Sequence, residues 1–480
     1  MNETILKYLR SKGYNPDESY YSRIKEWIEI WKGKTDWHKY YVVYEGKAEK
    51  KEMYSLGMAK RVSEDWSSIC WTEKDTVTTT KKNQKILDSV LTKMQFNKRL
   101  PSSIEKSAYS GTCGAILRPK NFKKVGDRLI LSSFSKLDLI FLNASQIVPL
   151  RVESGNVVDC AFISEEKKSK KKIYYIEIHE LIIQKNQNNE EVENYRIRNI
   201  YINEKGEEIT KKGVIKEYYI NSDISLFSLL RPPIDNPISE NNGLGFSVYG
   251  GAIDQLKSCD INYHNFVMDF YLGGKKVFYN KRLTGIDENG NEVSPDDLSK
   301  QQFQIVGDPN LNIADNSLIH EHNPDLRVED NTNGLQFSLD LLSFKCMLGT
   351  KFYQFDTSSR EVTKAEYLGG KQDLVKNAKK YRSNVDEFII NICRGILLLR
   401  RILFNNKVNE NDKIEVANTD GFLVSEEELK QQYLEEIAAG LRQPWEYRVK
   451  FFGEDEETAR AMIEDKQLDK KDDDSEEGEE

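Results

Sequence analysis

The sequence predicts an α+β fold, and three observations carry that expectation. Between about Gly111 and Ile220, short alternating or β-branched runs follow one another with turn clusters between them, the pattern of hairpin-connected strands. On both sides of that stretch apolar residues recur at i+3 and i+4, the spacing of one helix face. Two of the longer helical patterns bracket an excursion, Lys275 to about Arg327, that carries strand-like pieces of its own. With 480 residues, 38% of them hydrophobic, the chain has material for real cores, and its length corresponds to roughly two to four domains.

The N-terminal segment is rich in aromatics, and Tyr20, Ile24, Trp27, Ile28 and Trp31 mark an amphipathic helix from Ser19 that Gly33 stops. His38–Val43 reads as a strand entering a turn at Glu45-Gly46-Lys47, and a second helix is expected over Ser55–Cys70 with Met58, Val62, Trp66 and Ile69 on one face. Strands are then expected at Gly114–Leu117, Arg128–Leu131, Asp138–Leu142, Gln146–Arg151, Val157–Ile163, Lys172–Leu181 and Tyr195–Ile202. The Lys-rich run Lys167–Lys172 reads as a solvated hairpin tip, with a nucleic-acid or partner contact as the other reading. Arg231-Pro232-Pro233 and Asn236-Pro237 form a rigid connector, because proline fixes φ and forbids helix there.

After the connector a two-sided helix is expected from Phe246 to Tyr271, ended by Gly273-Gly274. Within the excursion, Lys276–Tyr279 and Phe303–Val306 look like strands and Glu288-Asn289-Gly290 like a turn. A further helix is expected from Gly334 to Leu348, with Leu339, Leu342 and Cys346 in register and Gly349 as its stop. Thr350–Thr363 has no helical period and reads as a loop. The longest helical pattern begins after that loop, is interrupted at Gly369-Gly370 and continues through Leu374 to about Phe404. Ile414–Val416 is a short strand, and the chain turns helical again from Ser425 until Asp472–Glu480.

Charge is distributed unevenly. Lys and Arg number 70 against 78 Asp and Glu, for a formal net charge of −8. Glu454–Glu480 alone holds fourteen acidic and four basic residues, so the rest of the chain carries about +2. The opening MNETILKYLRSKG lacks an apolar signal region, so export by that route is not expected. No window approaches 18 consecutive apolar residues, which argues against a membrane span. Cys70, Cys113, Cys160, Cys259, Cys346 and Cys393 are scattered without a C-x-x-C pair and read as reduced, mostly buried thiols.

No catalytic constellation stands out. G-x-x-x-x-G-K-[ST], H-E-x-x-H and G-x-S-x-G are all absent. Gly243-Leu244-Gly245-Phe246-Ser247 has no strand before it and no third glycine at the dinucleotide-binding spacing, so it reads as a helix entry. His320 and His322 alternate across Glu321 on one strand face with no third ligand in sequence. The expectation is therefore a non-enzyme without catalytic residues, cofactor or metal.

Several short motifs occur in a telling order. They are Trp31-Lys32-Gly33-Lys34, Met58-Ala59-Lys60 with Glu64-Asp65-Trp66, and Asn323-Pro324-Asp325-Leu326-Arg327 before a Leu-rich helix. Tyr353-Gln354-Phe355-Asp356, Ala438-Ala439-Gly440-Leu441 and Phe452-Gly453-Glu454 follow. In this order, over nearly the whole chain, they resemble portal proteins of long-tailed bacteriophages of Gram-positive bacteria. One departure is Val362-Thr363-Lys364-Ala365-Glu366-Tyr367, where such portals usually carry a T-A-T-E-V-like run.

The resemblance implies a portal-type subunit: a β-rich wing with aromatic N-terminal helices over 1–242, a first stem helix in 243–274 and an inserted clip over 275–327. A second stem helix in 328–349, a tunnel loop over 350–363 and a long helix with a return to the wing over 364–424 would follow. A helical crown over 425–465 and a disordered acidic tail over 466–480 complete it. It further implies a closed homo-oligomeric ring, usually of twelve copies, at one capsid vertex of the virion, made in the bacterial host cytoplasm. Double-stranded DNA would pass through this ring in packaging and ejection. Its partners would be the terminase large subunit, a head-tail adaptor, and the major capsid and scaffold proteins, with no membrane. In the tunnel loop Lys351, Arg360 and Lys364 are the expected DNA-facing cations, offset by Asp356 and Glu361. Another phage head or tail structural protein, or a nucleic-acid-processing enzyme without a recognisable motif, stays open as an alternative.

Overall fold

A computed structural model describes residues 3–44, 47–73, 75–125, 128–132, 135–168, 171–185, 191–220, 222–239, 243–274, 276–280, 285–286, 288–290, 292–293, 302–305, 319–354, 372–417 and 426–463. The chain is α+β and divides into two units, the larger spanning Met1–Glu73 with Val77–Val416, the smaller Lys74–Thr76 with Ala417–Glu480.

The larger unit begins with a helical layer: α1 (Glu3–Ser11), α2 (Ser19–Trp31), α3 (Met58–Cys70), α4 (Lys81–Lys93) and α5 (Phe96–Ser110). The hairpin β1 (Lys39–Tyr44) and β2 (Lys47–Glu52) lies between α2 and α3, and β3 (Thr76–Thr78) precedes α4. As expected, α2 buries Tyr20, Ile24, Trp27 and Ile28 and stops before Gly33, whose φ is +70°. The helix expected from Ser55 starts three residues later. Ser55 Oγ and Leu56 N both donate to the Asp260 carboxylate, which keeps this segment extended until Gly57 turns it at φ +68°. The centre of the layer is α5, which buries Phe96, Leu100, Ile104 and Ala108 and was not expected from sequence, nor were α1 and α4.

Two antiparallel sheets follow. β4 (Cys113–Lys120), β7 (Lys136–Asn143) and β13 (Phe227–Leu230) form one, in the order β13-β4-β7. β8 (Ile147–Glu153), β9 (Asn156–Lys168), β10 (Lys171–Lys185), β11 (Glu191–Asn203) and β12 (Glu217–Ile220) form a meander in which each strand pairs with the next. β5 (Lys123–Val125) and β6 (Arg128–Ile130) make a small hairpin. All seven expected strands are present. The Lys-rich run closes the β9–β10 hairpin, where Lys168 pairs with Lys171.

The helix expected from Phe246 begins at Ile253, as α6 (Ile253–Leu272), and the glycine-flanked run before it is no helix entry but a buried crossing. Tyr20 Oη donates to the Gly245 carbonyl at 2.6 Å, Gly245 N donates to Thr112 Oγ1, and Tyr249 Oη donates to the Trp27 carbonyl. Phe246 meets Trp27 edge-on at 5.0 Å. These contacts hold the backbone out of helix over Leu244–Tyr249. The excursion holds β14 (Lys276–Asn280), β15 (Gly285–Ile286), β16 (Glu292–Val293), β17 (Gln302–Ile305) and β18 (Ile319–His322), with β14 central between parallel β17 and antiparallel β18. The next helix, expected from Gly334, starts six residues earlier, as α7 (Val328–Lys345). Glu329 and Asp330 in its first turn suit the positive end of the helix dipole, and Gly334 is carried inside it against Asn262.

α8 (Gln372–Phe404) is 33 residues long, about 50 Å, and packs its Val385–Leu399 face on β13 and β4. β19 (Glu415–Ala417) follows. The smaller unit holds α9 (Glu426–Ala438), α10 (Pro444–Phe452) and a last helix over 456–463. Its helices are held by rings and guanidinium groups: Tyr433 meets Phe451 at 5.1 Å and Arg442 lies 4.0 Å from the Tyr433 ring. All six cysteines are buried and free, as expected.

Candidate functional site

Two features of the larger unit bear on function: the α6–α7 pair and the chain that leaves α7. The seam between α6 and α7 is polar. Asn262 Nδ2 donates to Ser338 Oγ at 2.7 Å, Ser258 and Ser338 share a 3.0 Å bond, and Asp269 accepts from the Arg327 guanidinium and from Asn331. The outer face is the reverse. Phe337, Leu341 and Phe344, at i, i+4 and i+7 on α7, are 65%, 41% and 59% exposed, and Phe270, Tyr271 and Leu272 end α6 exposed as well. α7 thus carries an apolar stripe turned to solvent in addition to its buried Leu339 and Leu342, beside a hydrogen-bonded seam.

At the end of α7 the backbone turns through positive φ at Met347 (+65°), Gly349 (+79°) and Lys351 (+61°). Gly349 takes this freely; Met347 and Lys351 do not. The turn is held from three sides. Trp66 Nε1 on α3 donates to the Cys346 carbonyl at 3.0 Å, Asn377 Nδ2 on α8 donates to the Met347 carbonyl at 3.0 Å, and Gln336 Nε2 donates to the Tyr353 carbonyl at 2.7 Å. Tyr353 Oη then donates to Asp65 Oδ2 at 2.8 Å, and Arg61 pairs with the same carboxylate. Burial pushes the Asp65 carboxyl up from its ordinary value against the opposing pull of Tyr353 and Arg61. Burial and the adjacent Asp65 charge likewise push the Tyr353 phenol up. The Met347–Asn377 bond thus ties the end of α7 directly to the start of α8.

Of the expected DNA-facing cations, Lys351 sits exposed at this exit, while Arg360 and Lys364 lie outside the described residues, as does the acidic tail over 466–480. Asp65 and Tyr353 stand in two of the motifs that carry the resemblance, but their pairing is not readable from sequence, and Gln336 and Asn377 lie in no motif. The one local signal was the Arg61–Asp65 spacing of i, i+4.

Two buried polar networks lie elsewhere. Glu177 on β10 accepts from the Arg118 guanidinium and from Tyr175 Oη, and His179 Nε2 lies 3.2 Å from its other oxygen. Burial alone would raise this carboxyl, but His179 and Arg118 outweigh it and hold it at about 2. Asp260 on α6 accepts from Trp37 Nε1, His38 Nε2, Ser55 Oγ and Leu56 N, which ties the β1–β2 hairpin and the approach to α3 onto α6. Both networks join separate elements through buried charge. Among the described residues no three His, Cys, Asp or Glu side chains converge as metal ligands, and no described helix is long and apolar enough to cross a membrane. No protein-family model and no curated protein matches the chain.

Proposed function

We propose that this chain is the subunit of a phage portal, a closed ring at one capsid vertex through which DNA is packaged and ejected and on which terminase and head-tail connector dock. The observation that carries the reading is the Phe337–Leu341–Phe344 stripe. Three large apolar side chains exposed together on one helix face mark a contact surface, and the α6–α7 seam is already joined by its own polar bonds. A neighbouring copy covers the stripe in a ring, where each subunit offers one face to the next and a different face to the one before. The element order agrees with this: a sheet-rich part, two paired helices around a small strand insert, a held turn at the end of the second of them and a long helix.

Mass photometry and negative-stain images of the purified chain test it. Closed rings are expected, and Phe337→Ser/Phe344→Ser should shift the mass to monomer without loss of helical circular dichroism. A native chain that stays monomeric at all concentrations overturns the proposal.

A further inference from the structure

The exposed face of α4 is a row of lysines that no carboxylate pairs with among the described residues. Lys81, Lys82, Lys85 and Lys93 all project from the side of the helix opposite to its buried Asn83, Leu87, Val90 and Leu91, and Lys98 follows at the start of α5. Among the described residues none of these five makes an ion pair. The acids nearest in sequence and packing, Asp88 and Asp412, bond neutral donors and make no ion pair with these lysines among the described residues. Asp88 accepts from Gln84 Nε2, and Asp412, which reaches the start of α4, accepts from Thr80 Oγ1, Asn83 Nδ2 and Asn409 Nδ2.

Stability does not account for this row. The first turn of α4 contains no acid and two lysines, so cations sit at the positive end of the helix dipole, where they cost folding free energy. Lys81 and Lys85 are like charges at i, i+4, which also repel. An arrangement unfavourable in the free chain points to an anion outside it.

The rest of the face identifies the anion. Between the lysines lie Ser89, Thr92, Gln95 and Asn97, all exposed and all able to donate hydrogen bonds. From Ser55 to Lys124 no large apolar side chain is exposed among the described residues. A protein partner is recognised through a desolvated apolar or aromatic centre, and this face offers none. Phosphate oxygens are met by lysine together with hydroxyl and amide donors, which this face supplies along about 18 Å of helix. We infer that α4 is a sequence-independent binding face for the phosphate backbone of duplex nucleic acid. This surface is separate from the held turn at the end of α7, and the inference does not depend on ring formation.

The test is fluorescence anisotropy of a short fluorescein-labelled duplex DNA with the full-length chain over a salt series. Four phosphate contacts give an affinity that falls about 100-fold between about 50 and about 200 mM salt. Lys81→Gln/Lys82→Gln/Lys85→Gln/Lys93→Gln keeps helix propensity and should remove most of that salt slope. The control Lys25→Gln/Lys47→Gln/Lys50→Gln/Lys51→Gln, with the same charge change on α2 and β2, should keep it. Absence of binding by the native chain, native binding by the α4 variant, equal loss in the control, or competition by poly-L-glutamate as effective per charge as unlabelled duplex each overturns the inference. Mass photometry of the same samples reads the ring separately, so a failed assembly and a failed DNA contact are distinguishable.

Discussion

Glu177 is fully buried, yet it is held charged because Arg118 reaches it from β4 and His179 and Tyr175 flank it on its own strand. The alternation of β10 places Tyr175, Glu177 and His179 on one face, so their grouping is readable from sequence. Arg118, which lies 59 residues away, is not, because only the packing of the two sheets brings it there. A carboxyl lowered from 4.5 to about 2 adds about 3 kcal/mol of stability above the pKa of the unfolded chain. That stability is lost as pH falls through the folded value. Glu177→Gln should therefore lower the urea midpoint at pH 7 by the equivalent of about 3 kcal/mol, and the gap should close as pH falls from about 4.5 toward about 2. A gap that stays constant across that range would show that the carboxylate contributes only its shape.

At the scale of elements, periodicity located what local contacts decide and misplaced what distant ones decide. α2, β4 and the strands from β6 to β11 are legible because their apolar spacing is also their burial. α5 was not, since Pro101 and four serines lower its helix propensity, and burial of Phe96, Leu100, Ile104 and Ala108 overrides that. The start of α6 was misread for the opposite reason. Phe246 and Tyr249 fit the helical period, but Tyr20, Trp27 and Thr112 claim the backbone and side chains of that run. The crossing is tight. A Cβ on Gly111, at φ +80°, would stand 2.3 Å from the Gly245 carbonyl oxygen, whereas one on Gly155, at φ +79°, meets nothing within 4 Å. Gly155→Ala should cost about 1 kcal/mol, the backbone term alone. Gly111→Ala should add about 1–3 kcal/mol of overlap to that, read as a clearly larger fall in melting temperature. Equal falls would mean that the crossing can widen at no cost.

For the whole molecule the question is how a chain of net charge −8 handles a polyanion. The charge is divided along the sequence: fourteen acids and four bases in Glu454–Glu480, and about +2 over everything before it. Within the larger unit Arg118, Arg151, Arg196, Arg198 and Arg401 are tied to carboxylates, whereas the α4 lysines make no ion pair among the described residues. In the portal reading, a near-neutral conduit avoids many tight phosphate contacts, each of which would slow moving DNA, and the acidic C-terminal segment repels DNA over distance. Such repulsion acts within a Debye length, about 10 Å at 0.1 M salt and about 3 Å at 1 M. Truncation after Asp465 removes eight acids and three bases, so the chain that remains carries −3. Its affinity for duplex DNA should exceed that of the full chain at low salt, with the difference gone near 1 M, while mass photometry finds the same assembly. If truncation instead dissolves the assembly, the segment is structural. If affinity does not rise at low salt, its charge plays no part in how the chain meets DNA.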